Sequence, residues 1–284
     1  MKWLYQVFGI SKQAYYQRIQ TNKNKTMQHE TVLLEIARIR KRMPRTGTRK
    51  LYKHLQVFIK EKQIKMGRDA LFTLLRHKGQ LVRRTKRYHI TTDSKHFFFK
   101  SPNRIKDLAI THAEQVFVSD ITYLQTDQSH AYLALVTDAY SKKIMGWSVD
   151  DNMKVSMVKD ALNMAHKSTV YKHSSIIHHS DRGIQYCCPD YSEFAEKNNF
   201  VLSTTQQYDP YENAIAERIN GILKYEFGLR HQLPNLTIAR DMVKEAVEIY
   251  NNERLHWSLS LKTPNHTHQH YNQQKLKRYG KKAA

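Results

Sequence analysis

The chain has 284 residues, of which 40% are hydrophobic, and this is enough for two domains with a packed core. Its 47 Lys and Arg outnumber its 25 Asp and Glu, and the net charge of +22 favours nucleic acid as the partner, because basic side chains displace counterions from phosphates. No run approaches the ~18 apolar residues of a membrane span, so no membrane-spanning helix is predicted. The cysteines, Cys187 and Cys188, are adjacent, which suits neither a disulfide nor a C-x-x-C zinc site and predicts a reducing, intracellular compartment.

The positive charge is confined to the first part of the chain. Residues 1–106 contain 27 Lys and Arg against 5 Asp and Glu, whereas residues 107–284 contain 20 of each. The excess in the first segment is therefore 27 − 5 = +22, which is the whole net charge. Scattered Lys and Arg normally form a solvated face, but segregation this complete favours a DNA-binding segment followed by a neutral domain.

The N-terminal segment, residues 1–28, is predicted to be helical. Two short helices are predicted at residues 3–9 and 11–20, and Ser11 is a suitable N-cap for the second. This pattern is typical of the end of a helix-turn-helix, and it is equally typical of an ordinary helical hairpin. In the first case the side chains facing DNA would be Lys12, Gln13, Tyr15, Tyr16 and Arg18. The polar residues 21–29 are predicted to form a linker.

Residues 29–80 are predicted to form a second helical domain that binds DNA. The apolar residues that recur at helical spacing at its start are Val32, Leu33, Ile36 and Ile39. Residues 44–47, which include a proline and a glycine, break this helix. Two further helices are predicted at residues 49–59 and Arg68–His77, and the three together present Arg and Lys on their outer faces.

Residues 81–106 are predicted to be a basic linker. Four basic residues are grouped near its start, ahead of the aromatic residues 97–99, and they are Arg83, Arg84, Lys86 and Arg87. Such a mixture suits a connector that lies along a DNA backbone. A partly exposed linker whose aromatic residues dock onto the next domain fits the pattern equally well.

Residues 107–264 are predicted to alternate strands and helices, and residues 265–284 to form a basic polar tail. Strands are predicted at residues 115–124, 131–139, 143–149, 175–179 and 200–203, and helices at Val155–Lys167, 189–198, 211–227 and 237–251. The first three strands are joined by short turns and form an antiparallel meander. The later alternation indicates an α/β architecture, a mixed five-stranded sheet with helices on both faces. This is the order of elements in the ribonuclease H-like fold.

Three acidic residues in this second part form a candidate catalytic centre. Asp120 lies in an apolar strand, where an acid is costly without a partner or a metal, although the solvated edge of a sheet would also accept it. Asp181 follows the fourth strand, where open sheets place active sites, although Asp-Arg-Gly is also an ordinary turn sequence. Glu217 lies on a predicted helix, where a single Glu is normally a surface charge. Carboxylates that meet at one sheet edge can bridge two Mg²⁺ ions for phosphoryl transfer.

The spacing of the three acids carries a resemblance to a known family. Sixty residues separate Asp120 from Asp181, and 35 separate Asp181 from Glu217. This D,D(35)E spacing resembles the DDE transposases of the retroviral-integrase type. The chain is more closely similar to the second-frame (OrfB) product of bacterial insertion sequences of the IS-three family. The stretches that carry this resemblance are residues 118–123, 137–147, 179–186, 212–226, 250–259 and 263–264.

The resemblance implies an activity and a set of partners. It implies a DNA transposase in which Asp120, Asp181 and Glu217 are the catalytic residues and the ligands of two divalent ions, Mg²⁺ with Mn²⁺ as a substitute. It implies action on terminal inverted repeats and target DNA, as a homodimer or higher oligomer, in the bacterial cytoplasm at the nucleoid. The short N-terminus suggests that a first-frame (OrfA) partner or fusion supplies further DNA-binding helices.

The chain also departs from its relatives in two ways. Many of them place Ser-Phe after the catalytic Glu, whereas this chain has Arg218 and Ile219, a change that affects neighbouring DNA contacts rather than the metal chemistry. The His-His-Cys-Cys zinc module of retroviral integrases has no counterpart in the sequence. The C-terminal histidines His266, His268 and His270 are interpreted as part of the polar tail.

Residues near the acids are candidates for contacts with DNA. Asn213, Glu217 and Lys224 are at i, i+4 and i+11, so one helical face presents all three. Lys224 is then either the holder of a phosphate at the DNA end or a solvated surface lysine. His179, two residues before the second acid, either orders water or the scissile phosphate or is a structural histidine satisfied by hydrogen bonds. Gln185 is a further candidate for a DNA contact beside the site.

Two other functions compete with the transposase. A metal-dependent nuclease of the same fold would use the same three acids and cut DNA or RNA without joining strands. A non-enzymatic DNA-binding regulator would explain the basic segment and leave the acids unexplained. Metal-dependent strand transfer by the purified protein distinguishes the three.

Overall fold

A computed structural model describes residues 9, 11–82, 98–127, 129–171, 175–206 and 213–271. The chain divides into two compact units, residues 1–85 and residues 86–284, which we call the helical unit and the core unit. Several predicted features lie outside the described residues. They are residues 3–8 of the first predicted helix, the basic residues Arg83, Arg84, Lys86 and Arg87, and residues 272–284 of the predicted tail.

The helical unit contains three helices: α1 (Lys12–Arg42), α2 (Thr48–Glu61) and α3 (Arg68–His77). Each helix turns an apolar stripe toward the other two, because its apolar residues recur three or four positions apart. The centre of this small core consists of Val32, Ile36, Leu51, Leu55, Leu71 and Leu75, all buried. The predicted α2 and α3 are confirmed. Ser11 caps α1 as predicted, by accepting a hydrogen bond from the backbone N–H of Ala14 (3.1 Å).

The linker predicted at residues 21–29 is wrong, because α1 runs through it without a break. No glycine or proline interrupts residues 12–42, so nothing in the backbone ends the helix there. The hydroxyl of Thr26 donates to the carbonyl of Asn22 (2.9 Å), and Thr31 bonds Met27 in the same way (2.9 Å), so these polar side chains accommodate the helix. Residues 21–27 of this segment are all exposed to solvent, which accounts for its polarity.

The core unit is built on a five-stranded sheet formed by the described residues. Its strands are β1 (Val116–Gln125), β2 (His130–Asp138), β3 (Ile144–Asp150), β4 (Ile176–Ser180) and β5 (Phe200–Thr204). The strand order is β3-β2-β1-β4-β5. The first three strands are antiparallel neighbours, whereas β4 runs parallel to β1 and to β5. This topology is that of the ribonuclease H-like fold, and it confirms the predicted fold class.

Helices cover both faces of the sheet. The larger ones are α4 (Val155–Lys167), α6 (Pro189–Lys197), α7 (Ala214–Glu226) and α8 (Leu236–Asn252), with the short α5 (Ile184–Cys187) and α9 (Pro264–Gln269) between and after them. One face of the sheet packs on α7 and α8 through Leu133 and Leu135, and the other packs on α4 and α6 through Phe117 and Val136. Gly146 lets β3 approach α4, because a Cβ there would lie 2.0 Å from the carbonyl oxygen of Ala161.

The core unit begins before the predicted boundary at residue 107. The backbone N–H of Arg104 donates to Ser203 Oγ (2.9 Å), and Thr204 Oγ1 donates to the carbonyl of Ser101 (2.6 Å), so this segment runs beside β5. Phe98 packs against the buried residues on the α4 side of the sheet. An aromatic residue docked on the next domain was one of the two interpretations of this segment. The charge pattern could not locate the boundary, because the backbone of Arg104 belongs to the core while its charge continues the basic segment.

The core unit also extends beyond the predicted end at residue 264. Thr267 and His268 on α9 are fully buried, and His268 Nε2 lies 3.1 Å from Glu114 Oε1, a carboxylate that is also fully buried. The interpretation of His268 as part of a polar tail is therefore wrong. A histidine paired with a buried acid inside a protein has the same sequence appearance as one in a solvated tail.

None of the helices in the described ranges is long and apolar enough to cross a membrane.

Candidate active site

Asp120 lies on β1 where the pairing of this central strand changes. On one side β1 pairs with β2 along its length, with Asp120 opposite Leu135. On the other side β4 pairs only with residues from Val116 to Val118. Asp120 therefore lies just beyond the last β1 residue that pairs with β4, where β1 and β4 separate. Helix α7 reaches Asp120 at this point. Asn220 on α7 donates from Nδ2 to Asp120 Oδ2 (2.9 Å) and so fixes the carboxylate.

The environment of Asp120 disfavours its negative charge. Burial raises the pKa of Asp120 to about 7, and the charge of Asp181 adds to this rise. The hydrogen bond from Asn220 acts in the opposite direction, and the charge of Glu217 raises the pKa further. Because both other acids act on the same carboxyl group, the fold has brought the three predicted acids into one electrostatic neighbourhood.

Asp181 follows β4 directly and shapes the turn that begins there. The backbone N–H of Gly183 donates to Asp181 Oδ1 (3.0 Å), which is the turn expected from the sequence Asp-Arg-Gly. A Cβ at Gly183 would lie 3.0 Å from the same oxygen, so a larger residue there would crowd the carboxylate of Asp181. The two interpretations of Asp181 are therefore compatible, because the turn fixes its carboxyl group at the end of β4.

Glu217 lies in the first turn of α7 and is exposed. The N-terminal end of a helix carries a partial positive charge, which favours a carboxylate at this position. Asn220, three residues later on the same helix, is the residue that holds Asp120. Helix α7 therefore carries one acid of the centre and positions another.

The three acids provide hard oxygen donors from three separate elements, which is the ligand chemistry that Mg²⁺ prefers. Within the described ranges, no group of three or more His, Cys, Asp or Glu side chains is gathered closely enough to count as a formed metal site. The mutual repulsion felt at Asp120 is what a bound cation would relieve. The donor set and its electrostatics therefore fit a divalent cation.

Comparisons with known proteins decide the family. Two integrase core domain families match the chain, one over residues 110–210 and the other over residues 199–264. An "uncharacterized 31 kDa protein" of insertion element IS600 from Shigella sonnei is 32% identical over 273 residues, which cover 94% of this chain and 98% of that protein. The transposase InsF of insertion sequence IS3A from Escherichia coli is 31% identical over 64% of each chain. The chain belongs to the IS3 family of insertion-sequence transposases.

Among solved structures, a chain of the simian T-cell lymphotropic virus intasome, in complex with a PP2A regulatory subunit, is similar with a TM-score of 0.48 and 17% sequence identity. The match covers 78% of the transposase and 70% of that chain.

Among the residues predicted to contact DNA, Lys224 interacts with the charge of Asp120. Its Nζ lies 4.1 Å from the ring centroid of Tyr123, on the face of the ring. Burial lowers the pKa of Lys224 to about 8, and the charge of Asp120 acts in the opposite direction. The solvated-lysine interpretation does not fit this position, because the ammonium group is half-buried against an aromatic ring.

Asn213 and His179 make internal hydrogen bonds. Asn213 is buried and donates from Nδ2 to the carbonyl of Ser119 (3.0 Å), the residue before Asp120. His179 is fully buried, and its Nδ1 lies 2.8 Å from Ser203 Oγ on β5. Both side chains thus hold neighbouring elements together beside the acids, and a direct contact with DNA would require them to move.

Gln185, Lys12 and Arg18 lie nearer to solvent. Gln185 is partly exposed and donates from Nε2 to the carbonyl of Met153 (3.2 Å), which joins the turn after Asp181 to the start of α4. Lys12 and Arg18 lie on the exposed first half of α1. The structure thus leaves these three side chains accessible to a partner.

Sequence reasoning missed three residues of the site. Asn220 is three residues from Glu217 on the same helix, so the helical-face argument that selected Lys224 was able to find it. Tyr123 gave no signal, because an aromatic residue in a strand is normally a packing residue. His178 is fully buried beneath the site, with Nε2 2.7 Å from Ser119 Oγ and 3.3 Å from the Tyr191 hydroxyl. Burial lowers the pKa of His178 to about 3, so it is a neutral structural histidine.

Proposed function

We propose that this transposase cleaves insertion-sequence DNA ends and joins them to target DNA, with Asp120, Asp181 and Glu217 as the catalytic acids. The observation that carries the proposal is the arrangement of the elements that bear the acids: Asn220 of α7, the helix that carries Glu217 in its first turn, holds Asp120, and the charges of Asp181 and Glu217 both raise the pKa of Asp120. A bound cation would relieve the repulsion that the other two acids exert on Asp120. An acid whose pKa is shifted by burial and by neighbouring charges is typical of a functional site.

The acids would hold two divalent ions, Mg²⁺ or its substitute Mn²⁺. When bound, a metal pair of this kind activates the attacking oxygen and stabilises the leaving oxygen of a phosphoryl transfer. The chain's own residues prepare the site for them. The amide of Asn220 fixes one oxygen of Asp120, the backbone N–H of Gly183 fixes one oxygen of Asp181, and the first turn of α7 presents Glu217.

The remaining predicted residues would bind the DNA. Lys224 would hold a phosphate of the DNA end close to the acids, because its ammonium group lies within the influence of Asp120. Gln185 would contact the DNA beside the turn at Asp181. Asn213 and His179 would act indirectly, by fixing the strands that carry the acids.

The helical unit would supply most of the affinity for DNA. The proposal assigns this role to Lys12 and Arg18 on α1 and to Arg83 and Arg84. Lys86 and Arg87, the first two residues of the core unit, would extend the same basic segment along the DNA. The substrates would be terminal inverted repeats and target DNA, bound by a homodimer or higher oligomer at the bacterial nucleoid, with a first-frame (OrfA) protein as a further partner. The accessible basic side chains of α1 support this assignment.

The direct test is to incubate the purified chain with a labelled terminal repeat, target DNA and Mg²⁺, and to separate the products. We expect nicked ends and joined strands with Mg²⁺ or Mn²⁺, and neither product in excess chelator. Ca²⁺ is expected to support assembly on DNA with little chemistry, because it is larger and less strict in its geometry. Nicking without joining would identify a nuclease, and binding without either product would identify a regulator. Either result would overturn the proposal.

A further inference from the structure

Helix α7 and strand β1 meet at a second point beside the acids. Lys224 follows Glu217 by seven residues on α7, and Tyr123 follows Asp120 by three residues on β1. The ammonium nitrogen of Lys224 lies 4.1 Å from the centroid of the Tyr123 ring. The two elements that contribute two of the acids therefore also contribute this lysine–tyrosine pair.

A lysine side chain does not adopt such a position by default. Its ammonium group is strongly hydrated and normally reaches into solvent on a flexible stem. Here the group is half-buried, and burial lowers its pKa to about 8. The electron-rich face of an aromatic ring attracts a cation within about 6 Å, and this attraction compensates for part of the lost hydration. Tyr123 thus contacts the ammonium group of Lys224, which the charge of Asp120 also attracts.

Tyr123 is itself held in place. It is paired with Tyr132 across the β1–β2 ladder, and its ring meets the ring of His130 edge to face, with the centroids 5.9 Å apart. A ring fixed by its strand and by a neighbouring ring holds the ammonium group at a defined position. A flexible lysine on an open helix face would have no such fixed position.

We propose that Tyr123 is a positioning residue for strand transfer: its ring face holds the ammonium group of Lys224 where a phosphate of the DNA end meets it. The inference rests on the proposed contact between Lys224 and DNA and assigns the residue that orients it. Because Lys224 is already held at this position, its side chain loses little further freedom when it meets the phosphate. The contact with Tyr123 is therefore expected to raise the rate of joining more than the affinity for DNA. Tyr123 makes no contact with the reacting atoms in this account.

The experiment compares variants of the full chain in single-turnover joining with Mg²⁺ and a labelled terminal repeat. Tyr123→Phe keeps the ring face and loses only the hydroxyl, so we expect a rate within about twofold of the wild type. Tyr123→Leu keeps apolar bulk without the ring, and we expect a rate about 3- to 30-fold lower, the range that a cation–π contact of this kind implies. Tyr123→Met is a second non-aromatic variant in case the leucine variant does not fold.

The double variant Tyr123→Leu with Lys224→Met separates positioning from a general structural role. If Tyr123 acts through Lys224, the double variant joins DNA no more slowly than Lys224→Met alone. A second readout is the salt dependence of DNA affinity. Lys224→Met is expected to reduce the log–log salt slope by ~0.9, the loss of one phosphate contact, whereas Tyr123→Leu leaves the charge and therefore the slope in place.

Several results would overturn the inference. An equal loss in Tyr123→Phe and Tyr123→Leu would assign the effect to the hydroxyl. A further loss on adding Tyr123→Leu to Lys224→Met would mean that the tyrosine acts on its own, for example by contacting DNA. A normal rate for Lys224→Met would remove the proposed phosphate contact and this inference with it. The catalytic role of the acids would then be tested separately by variants of Asp120, Asp181 and Glu217.

Discussion

In the helical unit, every described Lys and Arg is at least partly exposed, whereas the core unit buries several of its charged groups. The polar residues that are buried in the described part of the helical unit are Thr46 and Thr48. In the core unit they include Glu114, Asp138 and Arg254, each with partners. The helical unit thus keeps its basic side chains at the surface, whereas the core unit pairs some of its charged groups inside.

The charge balance of the two units agrees with this difference. Residues 1–85 contain 21 Lys and Arg against 4 Asp and Glu, and residues 86–284 contain 26 against 21. Exposed cations attract the phosphates of any duplex, whereas buried and paired charges fix the geometry of a site. We therefore assign affinity for DNA to the helical unit and chemistry to the core unit.

The largest effect is expected from the proposed catalytic acids. Asp120→Asn, Asp181→Asn and Glu217→Gln each remove a proposed metal ligand from the core unit, and each is expected to lower the joining rate by about a thousandfold or more. Their affinity for DNA should remain close to that of the wild type, because the phosphates are held elsewhere. Glu245→Gln, an exposed acid on α8, is the matched control. Near-normal joining by any of the three variants would remove that residue from the catalytic centre.

The next effect concerns an ion pair inside the core unit. Arg254 is almost fully buried and donates two hydrogen bonds to Glu226 at the end of α7, of 2.7 and 2.8 Å. Arg254→Met breaks this pair and is expected to cost about 2–3 kcal/mol of unfolding free energy. This is slightly below the usual range for a buried pair, because Glu226 keeps 27% of its side chain exposed. Urea unfolding measures it.

The control for Arg254→Met comes from the helical unit. Arg68 pairs with Asp69 at 2.9 Å, a distance similar to that in the buried pair, but both side chains are exposed. Arg68→Met is expected to leave stability unchanged, because water screens the pair. If both variants lost the same free energy of unfolding, the buried pair of the core unit would stabilise the protein no more than the exposed pair of the helical unit, which would contradict this prediction.

A smaller, pH-dependent effect is expected at Glu114. Burial alone would raise the pKa of Glu114, but hydrogen bonds from His268 and from the backbone N–H groups of Val170 and Tyr171 more than offset it, and the pKa falls below its ordinary value of 4.5. A lowered carboxyl pKa contributes stability above the unfolded-state pKa, and this contribution is lost as the pH falls through the folded-state pKa.

Glu114→Gln is therefore expected to cost about 1–3 kcal/mol at pH 7. The difference from the wild type should shrink as the pH falls below the ordinary carboxyl pKa. Unfolding midpoints measured between pH 7 and pH 3 provide the test, with the exposed Glu196→Gln as the control. A difference that stayed constant over this range would show that the charge of Glu114 is not what stabilises α9 against the core.

The sequence predicted the core unit well, for a physical reason. Its strands are short apolar runs bounded by turn residues, and all five were predicted to within one residue at each end. The three acids were proposed from their joint spacing, since Asp181 alone resembles a turn residue and Glu217 alone resembles a surface charge, and their catalytic role stays a prediction. The close pairs of the site were not predictable, because contacts such as that of Lys224 with Tyr123 join residues that lie far apart in the sequence.

The helical unit and the ends of the core were predicted less well. The polar residues 21–29 of α1 were taken for a linker, because a solvated helix and a loop share the same composition. The segment around Arg104 and the helix containing His268 were assigned outside the core for the same reason, since the partners that bury them lie far away in sequence. Composition predicts that such segments are polar. Whether a polar segment forms a linker, a helix or part of the core depends on contacts with residues that are distant in sequence.

The division of labour between the two units can be measured by separating them. Residues 1–85 and 86–284 each contain their own hydrophobic core, and each fragment can be titrated against a labelled duplex at several salt concentrations. We expect residues 1–85 to keep an affinity that weakens steeply with salt, with a log–log slope of ~−0.9 for each neutralised phosphate. Residues 86–284 should bind the duplex weakly, because the acidic centre repels phosphates when no metal is present. Binding by residues 86–284 as tight as that of the full chain, with the same salt slope, would contradict the account.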